Sequence, residues 1–206
     1  FYVFEPERLD KALEVSKKLD LPAHIHLEVE TGMNRTGLDL KELDYCAELL
    51  LKNPRQLLFK GFATHYAGAE SIANYLRIKK QYRLYNKALK RIETKGLKPE
   101  LRHTACSAAS ISYPKTRMDM VRMGIIQYGF WPSMETRIRW MTQNNVQESP
   151  LHRVISWKSR IMSIKKVKTG EFVGYGTTFL AQKDTLIAAV PVGYSHGYSR
   201  SLSNQG

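Results

Sequence analysis

Apolar positions in the first half of the chain recur in two alternating rhythms. Leu9, Leu13 and Leu19 follow Glu5-Pro6-Glu7 at helical steps, and a proline in the first turn suits a helix start. His24 to Thr31 reads as a strand. Asp39, with Glu42 three residues on, forms a capping-box-like start for a helix carrying Leu43, Cys46, Ala47 and Leu50. A strand over 57–67, a helix over about 70–95, a strand over 101–106, a short helix from Ser107 and a strand over 120–128 follow. Strands separated by helices imply a parallel sheet, in a barrel or a doubly wound layer.

From about residue 150 the rhythm changes. Val154 to Ile164, Phe172 to Phe179 and Leu186 to Val192 read as strands joined by short turns, with no helical pattern between them. This predicts an antiparallel all-β domain. The polar stretch from Asn144 to Pro150 marks the boundary, giving an α/β part over 1–149 and the start of a β-domain over 150–206. The opening Phe1-Tyr2-Val3-Phe4 reads as the end of a strand. The chain is therefore expected to begin inside a longer product.

With 43% hydrophobic residues over 206 positions there is material for one or two cores. No apolar run approaches the ~18 residues of a membrane span, and no signal-peptide pattern is present. Cys46 and Cys106 make no disulfide framework and suit a reducing cytosol. The net charge of +13 gathers in the helix over 70–95, where Arg77, Lys79, Lys80, Arg83, Lys87, Lys90, Arg91 and Lys95 oppose an apolar stripe. Charge on one helical face is ordinary solvated surface. A basic nucleic-acid-binding protein is the alternative from a different class, but no zinc, RNP or helix-turn-helix pattern accompanies the stripe. No nucleic-acid partner is expected.

Polar residues fall where strands end: Glu28 and Glu30, His65, Ser107 and Gly124. In a parallel barrel, functional groups gather beyond the carboxyl ends of the strands, and phosphate often sits after the last two. The Ser107 hydroxyl and the backbone N–H groups of Gly124 and Ile125 suit a phosphate, although plain turns use the same residue types. His24, His26, Glu28 and Glu30 alternate onto one face. Layered along a barrel interior they are too spread for one ion, so no metal is expected.

The order and spacing of five motifs carry a resemblance. Val173-Gly174-Tyr175-Gly176-Thr177-Thr178-Phe179 and Pro191-Val192-Gly193-Tyr194 resemble the catalytic-tyrosine strand and gate-tyrosine turn of the alanine racemases, fold-type III enzymes that use pyridoxal 5′-phosphate (PLP). His26 to Gly37 is similar to the family motif whose arginine, here Arg35, contacts the cofactor's phenolic oxygen and the substrate carboxylate. Thr64-His65-Tyr66-Ala67 resembles the strand whose histidine, His65, packs beside the cofactor ring. Ser107 and Met120-Val121-Arg122-Met123-Gly124-Ile125 resemble the phosphate-binding serine, the arginine facing the pyridine nitrogen and the phosphate-binding pair Gly124 and Ile125. Tyr175 takes the place of the catalytic base, and Tyr194 that of the substrate-entrance tyrosine.

The resemblance implies the second part of a (β/α)8 barrel followed by the start of an antiparallel β-domain. It implies interconversion of L- and D-alanine by two-base proton transfer, with D-alanine supplied to cell-wall peptidoglycan. It further implies a cytoplasmic, head-to-tail homodimer acting on a small amino acid. A serine or broad-specificity racemase is the nearest alternative. The chemistry is consistent with this: a tyrosine of ordinary pKa near ~10 is a poor base at neutral pH and needs cationic neighbours, for which Arg122 and His65 are the candidates. An always-charged arginine opposite a ring nitrogen disfavours its protonation. The family's PLP-bearing lysine motif occurs nowhere in these residues, so a fragment lacking that N-terminal segment, inactive alone, is expected. Three positions depart from the pattern. Glu28 stands where many members have a lysine that can be carbamylated, which would place a carboxylate beside Arg35. Cys106 replaces a common asparagine, and His196 a common aspartate.

Overall fold

In the computed structural model, which describes residues 1–203, the chain forms two compact units that divide after Val154. The final positions of the expected β-domain, 204–206, lie outside the described residues. The first unit is an α/β layer. Its strands β1 (Tyr2–Val3), β2 (Ala23–Glu28), β3 (Leu57–Ala63) and β4 (Leu101–His103) form one parallel sheet in chain order. Helices α1 (Pro6–Leu19), α2 (Leu40–Lys52) and α3 (Tyr75–Thr94) connect them. Short α4 (Ser107–Ser112) and α5 (Met134–Asn144) follow.

Local chemistry sets these boundaries. Asp39 Oδ1 accepts from the N–H groups of Lys41 and Glu42 at 2.7 and 2.8 Å, and Glu42 Oε2 accepts from the Asp39 N–H at 2.8 Å. The capping box is complete, worth about 1 kcal/mol to α2 through its aspartate. Pro6 opens α1, and Asp20 closes it in the left-handed region at φ 53°. On the sheet, side chains alternate between faces. Val3, Ile25, Leu27 and Phe62 pack on the helix side with Leu43, Leu50, Tyr85 and Ile92, all essentially inaccessible. Tyr2, His26, Glu28 and His103 lie on the other face, by the register that pairs Tyr2 with His26 and Ala63 with both Glu28 and His103. The apolar face makes the fold; the polar face is left for chemistry.

This unit departs from the sequence pattern in three places. The run 120–128 is not a strand. The Asp119 N–H does reach the Arg102 carbonyl and the Arg122 N–H the Ala105 carbonyl, at 3.0 and 2.9 Å. But the Arg102 N–H, which a ladder would give to a carbonyl, is taken by Asp119 Oδ2 at 2.8 Å, and Ile125–Tyr128 winds into a 3-10 turn. Helix α5 was not anticipated; Ser133 caps it, its Oγ accepting from the Thr136 N–H at 3.1 Å. The 3-10 turn Ile72–Asn74 also precedes α3, so the helix starts later than the pattern suggests.

The second unit is built from two antiparallel pairs: β5 (Ser163–Val167) with β8 (Thr185–Ala189), and β6 (Phe172–Val173) with β7 (Phe179–Leu180). The expected strand from Val154 starts only at Ser163. The expected continuous strand from Phe172 to Phe179 is a hairpin instead. Gly174 turns the chain in the left-handed region at φ 83°, and Thr177 does so at φ 48°. Tyr175 therefore sits in a turn.

Candidate active site

Three strand ends meet on the polar side of the parallel sheet. The Thr64 hydroxyl, just past β3, donates to the Val29 carbonyl at 2.8 Å and lies 2.8 Å from the Thr31 hydroxyl, both just past β2. This buried threonine pair ties the loops together. Arg122 enters the same region from the segment beyond α4. One of its terminal nitrogens donates to the Thr64 carbonyl at 2.7 Å, and the other to the His103 carbonyl at 2.9 Å and to His103 Nδ1 at 2.6 Å. The guanidinium is thus fixed by backbone and by one imidazole, with no carboxylate paired to it among the described residues.

The histidines respond to that fixed charge. Burial first, then the charges of Arg122 and Arg35, lower the pKa of His65. His103 is wholly inaccessible; burial, Arg122 and His26 together push it down to about 4. Both rings are neutral at pH 7. Next to them, Ser107 opens α4, and its Oγ accepts from the Gly124 N–H at 2.9 Å. Ser107 is buried, while Gly124 and Ile125 are exposed. The Ile125 N–H opens a 3-10 turn and finds no carbonyl within it.

Of the residues singled out in the sequence, the first unit brings Arg122, His65, Ser107 and Gly124 to the ends of β3 and β4. Arg35 is exposed on the loop after β2. Glu28 does not pair with it: the Glu28 carboxylate accepts from the Thr36 hydroxyl at 3.2 Å, and no ion pair joins it to Arg35 among the described residues. Glu30 leaves the strand face altogether and accepts from the N–H groups of Met33 and Asn34 at 2.7 and 2.9 Å. No group of three His, Cys, Asp or Glu side chains among the described residues is placed to hold a metal ion. Cys46 is buried, its thiol pushed up to about 12 by burial, which keeps it protonated and inert. In the second unit Tyr175 is fully exposed, at 111%, and Tyr194 is 71% exposed. His103 was missed in the sequence. A lone histidine in a three-residue strand carries no periodic signal, and its role shows only when Arg122 folds back onto it.

A parallel α/β unit with an arginine, a serine hydroxyl and the open backbone N–H of Ile125 beyond its strand ends, followed by a β-rich unit, defines the class. Sequence profiles then give the family. The profile described as alanine racemase, N-terminal domain, matches residues 1–132, and that described as alanine racemase, C-terminal domain, matches 154–206. The chain belongs to the alanine racemase family of isomerases. It is 35% identical over 187 residues to an alanine racemase of Leptospira interrogans, covering 90% of this chain and 47% of that protein. It is 37% identical over 182 residues to one of Carboxydothermus hydrogenoformans, covering 88% and 46%. The crystal structure of the Bacillus anthracis alanine racemase with bound L-Ala-P superposes with a TM-score of 0.79 at 29% identity, over 98% of this chain and 50% of that one. The Streptomyces coelicolor enzyme gives 0.82 at 25% identity, over 95% and 50%. The chain thus spans about half the length of the relatives it matches. No helix among the described residues is long and apolar enough to cross a membrane.

Proposed function

We propose that this chain forms part of an alanine racemase that interconverts L- and D-alanine with PLP, in the cytoplasm, for cell-wall peptidoglycan. On this reading residues 1–149 are the second part of a (β/α)8 barrel and 150–206 open the β-domain. The observation that carries it is the pairing of a carboxylate-free, firmly bonded Arg122 with the Ser107–Gly124 contact on one side of the sheet. These groups support a phosphate site there. Gly124 has no side chain to fill the space, Ser107 has a hydroxyl proton to donate, and the Ile125 N–H is free of its own turn.

The residues divide the work. Ser107, Gly124 and Ile125 would hold the phosphate, Arg122 would face the pyridine nitrogen, His65 would pack beside the ring, and Arg35 would reach the phenolic oxygen and the substrate carboxylate. PLP, when bound, supplies an electron sink for the pair left as the α-proton departs. A guanidinium only donates, so Arg122 would donate to the ring nitrogen without giving it a proton. Tyr175 is the base on one face of the α-carbon, and Tyr194 lines the substrate entrance. A phenol in water is a weak base at pH 7, so Tyr175 works only when covered and set near cations. A head-to-tail homodimer would provide that cover by placing Tyr175 against a partner's barrel.

The 206-residue polypeptide alone is expected to give no D-alanine from L-alanine and PLP, because the lysine-centred motif that supplies the opposing base is not in it. Fusing it behind the first half of the Carboxydothermus hydrogenoformans relative should produce D-alanine formation that Tyr175→Phe abolishes. A folded, PLP-loaded fusion that racemises serine faster than alanine would shift the reading to the broader racemases. Turnover unaffected by Tyr175→Phe would remove it.

A further inference from the structure

A glycine lets a histidine of β2 reach β4 across the strand between them. Gly61 of β3 is the register partner of His26, just after a one-residue shift between Ile25 and His26 that bulges β3 at Lys60. A Cβ built on Gly61 would stand 2.0 Å from His26 Nδ1, so no side chain fits there with the ring in place. Through that slot His26 Nδ1 comes within 2.8 Å of His103 Nε2. Tyr2 covers the His26 ring, stacked at 5.4 Å and 19°.

The donors and acceptors allow one consistent assignment. A guanidinium only donates. With an Arg122 nitrogen 2.6 Å from His103 Nδ1, that ring nitrogen is the bare acceptor, and the His103 proton is on Nε2. His103 is inaccessible to water, so its Nε2–H needs a protein acceptor, and His26 Nδ1 is the one in reach. His26 then carries its own proton on Nε2. We propose that His26, seated in the slot left by Gly61, is a positioning residue that holds His103 in the Nε2–H tautomer and so keeps an acceptor facing Arg122. Remove that acceptor and His103 has two poor choices. It orphans a buried N–H, or it moves the proton to Nδ1 and loses the bond to Arg122. The consequence for a cofactor rests on the racemase reading above; the tautomer does not.

Long-range 1H–15N correlation spectra of the 206-residue chain read the tautomer directly. The wild type should show a single His103 pattern, protonated on Nε2 and bare on Nδ1. His26→Leu should lose that single pattern. His26→Asn, whose amide oxygen can occupy the place of Nδ1, should restore it. Gly61→Ala should reproduce the leucine result with His26 still present, and far-UV circular dichroism shows whether each variant keeps its fold. If a variant unfolds, the wild-type spectrum and His26→Asn still decide. A wild-type His103 protonated on Nδ1, or a pattern unchanged in folded His26→Leu and Gly61→Ala, would overturn the proposal. PLP loading of the fusion described above separates the two readings: the expected tautomer in the chain with a folded fusion that takes up no PLP defeats only the racemase assignment, and a PLP-loaded fusion with the other tautomer in the chain defeats only this one.

Discussion

Acidification should weaken the α/β unit through its histidines, and most through His103, whose pKa is displaced furthest. Burial, with the Arg122 and His26 charges behind it, lowers its pKa from the ordinary 6.5 to about 4. Between those values the unfolded chain takes up a proton that the folded chain refuses. Stability from this group is therefore complete above pH 6.5 and lost as pH falls toward 4 and below. The slope is about 1.4 kcal/mol per pH unit, and the full loss is about 3 kcal/mol. The structural reason is specific: a protonated Nδ1 cannot accept from the guanidinium 2.6 Å away. Asp119 does not confuse the measurement. Its bonds to Arg102 lower it from 3.8 to about 2, so its contribution is intact above pH 3.8 and fades only below. Urea unfolding followed by far-UV circular dichroism, from pH 7.5 to 4.5, should show the slope in the wild type. It should be shallower in His103→Asn, whose amide oxygen can accept from Arg122 without titrating; His65 and His26, both lowered chiefly by burial, keep a residual slope. Equal slopes in the two proteins would refute the argument.

Other outcomes follow from burial and bonding. Leu27→Ala, at an inaccessible position in the middle of the sheet, should cost about 2–5 kcal/mol in urea unfolding at pH 7. In the fusion, Ser107→Ala should weaken PLP binding roughly tenfold or more by fluorescence titration, as expected for one hydrogen bond to a charged group, while the fold survives. Tyr175→Phe should leave the melting temperature of the chain unchanged, because the whole side chain is in water.

Much of the scaffold could be read from residue patterns, because its signals are local. The Asp39–Glu42 box, Pro6 and the amphipathic run of α3 each act within a few residues of where they stand. Misreadings arose where a side chain from elsewhere replaced the backbone. Met120, Val121, Met123, Ile125 and Ile126 look like a strand. Yet Asp119 takes the N–H such a strand would have paired, and Met123 and Ile125 end up exposed. Glu28 shows the same limit at the site. Its sequence position suggests a partner in Arg35, and the structure pairs it with Thr36. The proximity of Ser107 and Gly124 followed from motif order. The His26–His103–Arg122 chain did not, because it depends on a bulge and on an empty position in the strand between.

The parallel sheet runs β1, β2, β3, β4 in chain order, so each strand joins the one made just before it. No strand waits for a distant partner, and the loop-closure entropy of each pairing is only that of one connecting helix. Each pairing therefore needs only the strand–helix unit next to it in the chain. The sheet can also be lengthened or shortened by whole strand–helix units without changing any pairing already made.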